Sequence, residues 1–289
     1  MDANPFAAAR PLVRRASPPA ADGLIVGVDA PSPGWDYIEF AAYRLASGQR
    51  ITRRGDDRER LALVLEGRAR VCAGTADFGE IGSRASVFDG PPPPVVLLAP
   101  GESLDVVAAG DALVAIAAAP GGDVARTALI DAADILIESR GSGRTQRTIH
   151  HLLPPATQAG HLIAFECLTP GGNWSSYPPH KHDTEDPPRE ARLEETYFYR
   201  FAKPGGFAVQ RVYTADRSLD DTVAPGDGDL VLVPGGYHPV GVPAGYDAYY
   251  LNVMAGPNRA WNFTVDPDHA WLTDWDPATP NATPQEAAR

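Results

Sequence analysis

Apolar residues in this chain come in short runs, and a turn residue closes nearly every one. The runs LALVLEG (61–67), PVVLLAPGE (94–102), LDVVAAGDALVAIAA (104–118) and HLIAFECLTPGG (161–172) are followed by TYFYRF (196–201), FAVQRVYT (207–214), DLVLVPGG (229–236) and DAYYLNVMAG (247–256). Such β-branched, Leu-rich or aromatic runs, bounded by Gly, Pro or Asp, predict strands. No long window shows the 3.6-residue apolar period of a capped helix. Recurrence at roughly 8–12 residues predicts a sandwich or barrel, not βαβ units. The expected fold is all-β with few short helices.

The order of runs also occurs twice. LALVLEGRARV and then SVFDGPPPPVVLLAPGESLDVVAAG in the first half are answered in the second. There, ETYFYRF and GGFAVQRVYT precede GDGDLVLVPGGYHPVG and YDAYYLNVMAG. The segment ESRGSGRTQRTIHHLLPPATQAG (138–160), rich in Gly, Ser, Thr and Arg, reads as the connection. Two similar β domains are expected, residues 1–145 and 146–289.

Composition narrows the class. Over 289 residues, 25 Lys+Arg stand against 37 Asp+Glu, a net charge of −12. That balance argues against nucleic acid or an anionic membrane as partner. Two cysteines, Cys72 and Cys167, are too few for a disulfide framework or a Cys-rich zinc module. The N-terminus lacks the apolar core of a secretory signal, and no run reaches the roughly 20 apolar residues of a membrane helix. A cytoplasmic protein is expected, with a frayed polar end from Asp276.

The candidate chemistry lies in the second half. His180 and His182 flank Lys181, and residues i and i+2 of a strand point to one face, so two imidazoles converge while Lys181 points away. Glu194 and Glu195 open an aromatic strand, and only one of two adjacent strand residues can face the same side. His238 follows the turn Pro234-Gly235-Gly236. Three imidazoles and one carboxylate suit Zn, Mn, Fe, Ni or Co and leave room for water or substrate. His150, His151, His161 and His269 have no comparable partners and read as structural.

This order of residues resembles the cupin family, whose first motif carries HxH and Glu and whose second carries Pro-x-Gly and His. The resemblance implies a bicupin, two tandem jelly-roll β-barrels, with a metal held by His180, His182, Glu195 and His238. Glu195 is the matching glutamate because the family's ligand directly precedes the aromatic strand residues. Twelve residues separate His182 from Glu195, more than cupins usually carry, and this charged insert reads as a surface loop or a lid. Longer strings, NWSSYPPHKHD, LEETYFYR, GDLVLVPGGYHPV and YYLNVMAGPNR among them, resemble the two-cupin 5-deoxy-glucuronate isomerase family of inositol catabolism. That resemblance implies one divalent transition metal per chain, zinc or manganese, and an N-terminal domain without metal ligands. It also implies an aldose–ketose isomerisation between 5-deoxy-glucuronate and 5-dehydro-2-deoxy-gluconate. The alternatives are the related isomerase of 5-dehydro-4-deoxy-glucuronate from pectin breakdown and a non-catalytic sugar-binding bicupin.

Strand parity places Tyr197 and Tyr199 on the Glu195 face, as pocket or packing residues. Tyr250 or Asn252 is expected to line the site from the last strand. A sugar-acid carboxylate calls for a cation, and Arg211 is the candidate, with its neighbour Gln210 on the opposite face the competitor. The sequence names no general base. Open edge strands are compatible with a homo-oligomer.

Overall fold

In this computed structural model, residues 7–122, 126–154, 157 and 159–275 are described, and the polar end from Asp276 lies outside them. The described chain is built from antiparallel strands, with four short 3-10 stretches as its helical content. No helix among these residues is long and apolar enough to cross a membrane.

The first half forms a six-stranded sheet with Arg58–Glu66 and Ala112–Pro120 at its centre. A four-stranded sheet that includes Ala69–Ala73 and Leu104–Ala108 faces it. The second half forms a seven-stranded sheet in the order Val13–Arg14, Leu230–Val233, Glu194–Phe201, Ala248–Ala255, Ile163–Thr169, Arg147–His151, Leu136–Arg140. Facing it are a small sheet carrying Val209–Tyr213 and the pair His180–Lys181 with Thr264–Val265. The sheets do not follow the 145/146 division read from the sequence. Val13–Arg14 and Leu136–Arg140 already pair into the second half's sheet.

The two large sheets pack back to back, and this explains the uninterrupted apolar runs. Leu61, Leu63 and Leu65 face the other half and join Phe198, Leu230, Leu232, Leu251 and Val253 in one buried layer. The alternate residues Ala62 and Val64 turn into the first half's own core. A strand covered on both faces cannot alternate polar and apolar positions, so it reads as a continuous run. Strand Ala248–Ala255 is buried at every position.

Carboxylates stitch the halves together around this apolar layer. Glu59 accepts hydrogen bonds from the backbone N–H of Gly160, His161 and Leu162, at 2.6, 2.6 and 2.8 Å. Reciprocally, Glu194 accepts from the N–H of Asp36, Tyr37 and Ile38, at 2.7, 3.0 and 2.9 Å. Glu166 is wholly buried and accepts from Arg84 Nη2 at 2.7 Å, Arg84 Nη1 at 3.1 Å, His150 Nδ1 at 2.9 Å and the Tyr249 hydroxyl at 2.8 Å. Burial alone would raise the Glu166 pKa, but the His150 hydrogen bond and the Arg84 charge outweigh it and hold the carboxyl below its ordinary value.

Removing one partner of a buried ion pair strands the other, at about 3–5 kcal/mol. Glu166→Ala is therefore expected to lower the unfolding free energy by about that amount, read from denaturant titration. A carboxyl with a depressed folded pKa stabilises fully above its unfolded pKa, and that contribution fades as the pH falls below it. The wild type should lose stability on acidification below the ordinary glutamate range, and Glu166→Gln should flatten that acid limb.

Candidate metal centre

The centre is built on the face of the seven-stranded sheet opposite the apolar layer. Parity decides this along every strand. On Glu194–Phe201, Glu195, Tyr197 and Tyr199 face inward while Thr196 and Phe198 face the other half. On Ala248–Ala255, Tyr250, Asn252 and Met254 share the inner side. The register pairs Glu195 with Met254 and Tyr197 with Asn252.

His182, Glu195 and His238 converge, with one ligand atom from each lying within 4.8 Å of the others. Nε2 of His182 and Nε2 of His238 each stand 3.1 Å from the same oxygen, Glu195 Oε2. All three side chains are buried. His180 is set beside them, its ring centroid 5.0 Å from that of His238 and 6.4 Å from that of His182.

The imidazoles are pre-oriented by the backbone. Nδ1–H of His180 donates to the Pro178 carbonyl at 3.0 Å, that of His182 to Leu193 at 3.2 Å, and that of His238 to Gly236 at 2.8 Å. This hydrogen bond fixes the tautomer and turns the Nε2 lone pair inward, the usual outer-shell device of a histidine ligand. The Glu195 carboxylate is steered likewise, accepting from Asn252 Nδ2 at 2.6 Å. Gly236 adopts φ +85°, and a Cβ there would stand 2.4 Å from the Tyr213 carbonyl, so the turn before His238 requires glycine. Its N–H donates to Asp183 Oδ2 at 2.8 Å, tying the loop after His182 to the turn that carries His238.

Electrostatics point the same way. Burial would raise the Glu195 pKa, but the neighbouring His238 and His182 hold it well below the ordinary value. Burial and the nearby His238 and His182 push His180 down to about 3, which keeps it neutral. His238 Nε2 is buried without a hydrogen-bond partner. The Glu195 carboxylate holds the His182 imidazole above its ordinary pKa against burial, and Nε2 of His182 and of His238 share one Glu195 oxygen at 3.1 Å. Ligand atoms bound to one ion at about 2.1 Å stand at such separations. The donor set thus fits a divalent transition ion and leaves an open side toward the cavity.

That cavity, of about 500 Å³, is walled by Glu195, Tyr197, Tyr250, Asn252 and His180, with Trp261, Phe263 and Trp275 as apolar cover. Every residue that lines it lies at or beyond Arg140. Tyr199 lies beneath the wall, its hydroxyl donating to Gln210 Oε1 at 2.9 Å. Arg211 is not among the lining residues. It forks onto Asp220 at 2.8 and 2.7 Å on a surface hairpin, while Gln210 turns into the core. Lys181 points out, toward Asp183 and Glu190. The insert is less solvated than its charge suggests. Glu190 is buried and accepts from Lys181 Nζ at 2.8 Å and from the N–H of Asp183 and Thr184 at 2.9 and 2.8 Å. Sequence reasoning missed Arg140 and Arg147, because RTIHH was read as part of a connection. The alternation Arg147, Ile149, His151 was the available signal.

The model of the KduI/IolB family matches residues 12–272. The chain belongs to that family. It is 44% identical over 256 residues to a 5-deoxy-glucuronate isomerase of Geobacillus kaustophilus, spanning 89% of this chain and 93% of that one. An IolB-like protein from Salmonella typhimurium LT2 has a crystal structure that superposes with a TM-score of 0.87 at 42% identity, over 91% of this chain and 99% of that one. Lactobacillus farciminis oxalate decarboxylase, at 13% identity and a TM-score of 0.62 over 91% and 90% of the two chains, shares the fold alone. This KduI/IolB chain is accordingly a bicupin.

In this family member, His182→Ala and His238→Ala should each strip bound metal, by elemental analysis, while leaving a cooperative melt. Glu194→Ala should do the reverse. Metal content should stay at the wild-type ratio, while three N–H groups of the other half lose their acceptor at a cost of about 2–3 kcal/mol.

Proposed function

We propose that this chain is an aldose–ketose isomerase interconverting 5-deoxy-glucuronate and 5-dehydro-2-deoxy-gluconate. In this reading one divalent ion, zinc or manganese, is held by His180, His182, Glu195 and His238. One conjunction carries it: a buried His/Glu cluster whose Glu195 lines a cavity of about 500 Å³, in a chain 44% identical to a named 5-deoxy-glucuronate isomerase.

The reaction moves a proton between adjacent carbons while a carbonyl and a hydroxyl exchange places. When bound, the ion supplies Lewis-acid polarisation of oxygen atoms on neighbouring carbons. The chain's own residues supply orientation and a dry site. Asn252 and the three backbone carbonyls hold the donor atoms in place without reorganisation. Burial keeps the Tyr197 phenol well above its ordinary pKa, so it stays protonated and offers a hydrogen bond, paired with Ser176 Oγ at 3.0 Å. Tyr250 is held the same way, donating to Ser175 Oγ at 2.7 Å. Trp261, Phe263 and Leu272 limit water at the reacting carbons. The six-stranded and four-stranded sheets contribute no lining residue and serve as the buttress behind the seven-stranded sheet.

Purified protein given 5-deoxy-D-glucuronate should form the ketose, followed by NMR. A chelator should lower kcat by about a thousandfold or more, and added Zn or Mn should restore it. Faster turnover of 5-dehydro-4-deoxy-glucuronate would overturn the substrate assignment, and turnover of neither sugar would sink the isomerase reading.

A further inference from the structure

Among the described residues, no carboxylate partners the buried Arg147. It opens strand Arg147–His151 and is 7% exposed. It lines the same cavity as Glu195. Nη1 donates to the Thr145 carbonyl at 2.8 Å. Among the described residues, its Nε and Nη2 have no acceptor, and no carboxylate forms an ion pair with it.

Elsewhere this chain shows what that edge of a guanidinium does. Arg140 forks Nε and Nη2 onto Glu138 at 2.8 and 2.8 Å, and Arg211 forks the same pair onto Asp220 at 2.8 and 2.7 Å. The other deeply buried arginine near the sheet, Arg84, is neutralised by Glu166. Arg140 also lines the cavity, but Glu138 occupies its fork. A buried charge without a counter-ion is costly, and the geometry of a guanidinium edge matches a carboxylate.

Direction and position agree. Arg147 lines the cavity together with Cys167 and Tyr250, and its charge opposes the rise that burial imposes on the thiol and the phenol. Thr148 pairs with Leu168 and Leu168 with Tyr249, whereas Glu195 pairs with Met254. Arg147 therefore enters from the end of the sheet opposite the His/Glu cluster. Between them lie Tyr197, with its ring 6.1 Å from His238, and Tyr250, 5.0 Å from Tyr197.

We propose that Arg147 binds the carboxylate of the substrate through its Nε/Nη2 edge and selects sugar acids over neutral sugars. The proposal rests on the isomerase reading for the identity of the acid, but the anion subsite stands on the geometry alone.

The test compares wild type and Arg147→Met on 5-deoxy-D-glucuronate and on 5-deoxy-D-glucose, which carries a CH2OH in place of the carboxylate. Metal content and melting should be retained. KM for the acid should rise at least about 30-fold with kcat changed far less, while the neutral sugar is handled alike by both proteins. An unchanged KM for the acid, or equal losses on both sugars, would overturn the assignment. Arg147→Lys keeps the charge without the fork and should fall between. It carries the comparison if the Met variant does not melt cooperatively. Should the wild type turn over neither sugar, the isomerase reading fails separately. Calorimetric binding of D-glucuronate and D-glucose then decides the subsite. A preference for the acid that Arg147→Met abolishes upholds it, and no such preference overturns it.

Discussion

The centre depends on a sheet that has no free face. Along Glu194–Phe201 and Ala248–Ala255, one set of side chains is committed to the apolar layer against the first half and the other to the cavity. A slip of one residue would place Glu195 and Asn252 among Phe40, Leu61 and Leu63 and push Leu251 and Val253 toward the cavity. Burying an unpaired carboxylate in hydrocarbon costs several kcal/mol, and each strand would incur its own penalty. Register is thus enforced from behind, and the histidines inherit precise positions from packing that never touches them.

This explains why the six-stranded sheet matters without contributing to the cavity wall. It supplies the second cover, and carboxylates lock the two covers in relative position. Glu59 grips three consecutive N–H groups of the second half, and Glu194 grips three of the first. Glu194 and Glu195 are neighbours with opposite duties, one holding the halves together and the other facing the histidines. Side-chain alternation makes that division of labour possible within two residues.

The same alternation made much of the site legible in the sequence. It separated Glu195 from Glu194 once an aromatic strand was recognised, and it set His180 and His182 apart from Lys181. The turn before His238 was visible because only glycine accommodates its backbone. Arg211 was misjudged for a physical reason: alternation says which residues share a face, not which face is inside. On a hairpin at the sheet edge, Asp220 claimed the guanidinium and Gln210 took the interior. Arg147 was hidden because a strand beginning with polar residues after a Gly/Ser-rich stretch looks like linker. Its pairing with Ile163–Thr169 is a long-range fact that local pattern cannot carry. Glu190 escaped for a similar reason, since its partners Lys181, Asp183 and Thr184 surround it only once the loop closes.

Charge in the cavity is arranged along one axis, and that arrangement bears on selectivity. At one end His182, Glu195 and His238 form a group that could hold a cation, with His180 beside it. At the other end stands a guanidinium with an open fork. A ligand with oxygens at its head and a carboxylate at its tail carries complementary groups for the two ends. A neutral sugar satisfies the head and strands the buried guanidinium, and sites built around a polar partner reject analogues lacking it far more strongly than apolar pockets reject a missing methylene. Discrimination then follows from that unpaired charge, held in place by a strand whose other face is fastened to the first half through His150 and Glu166.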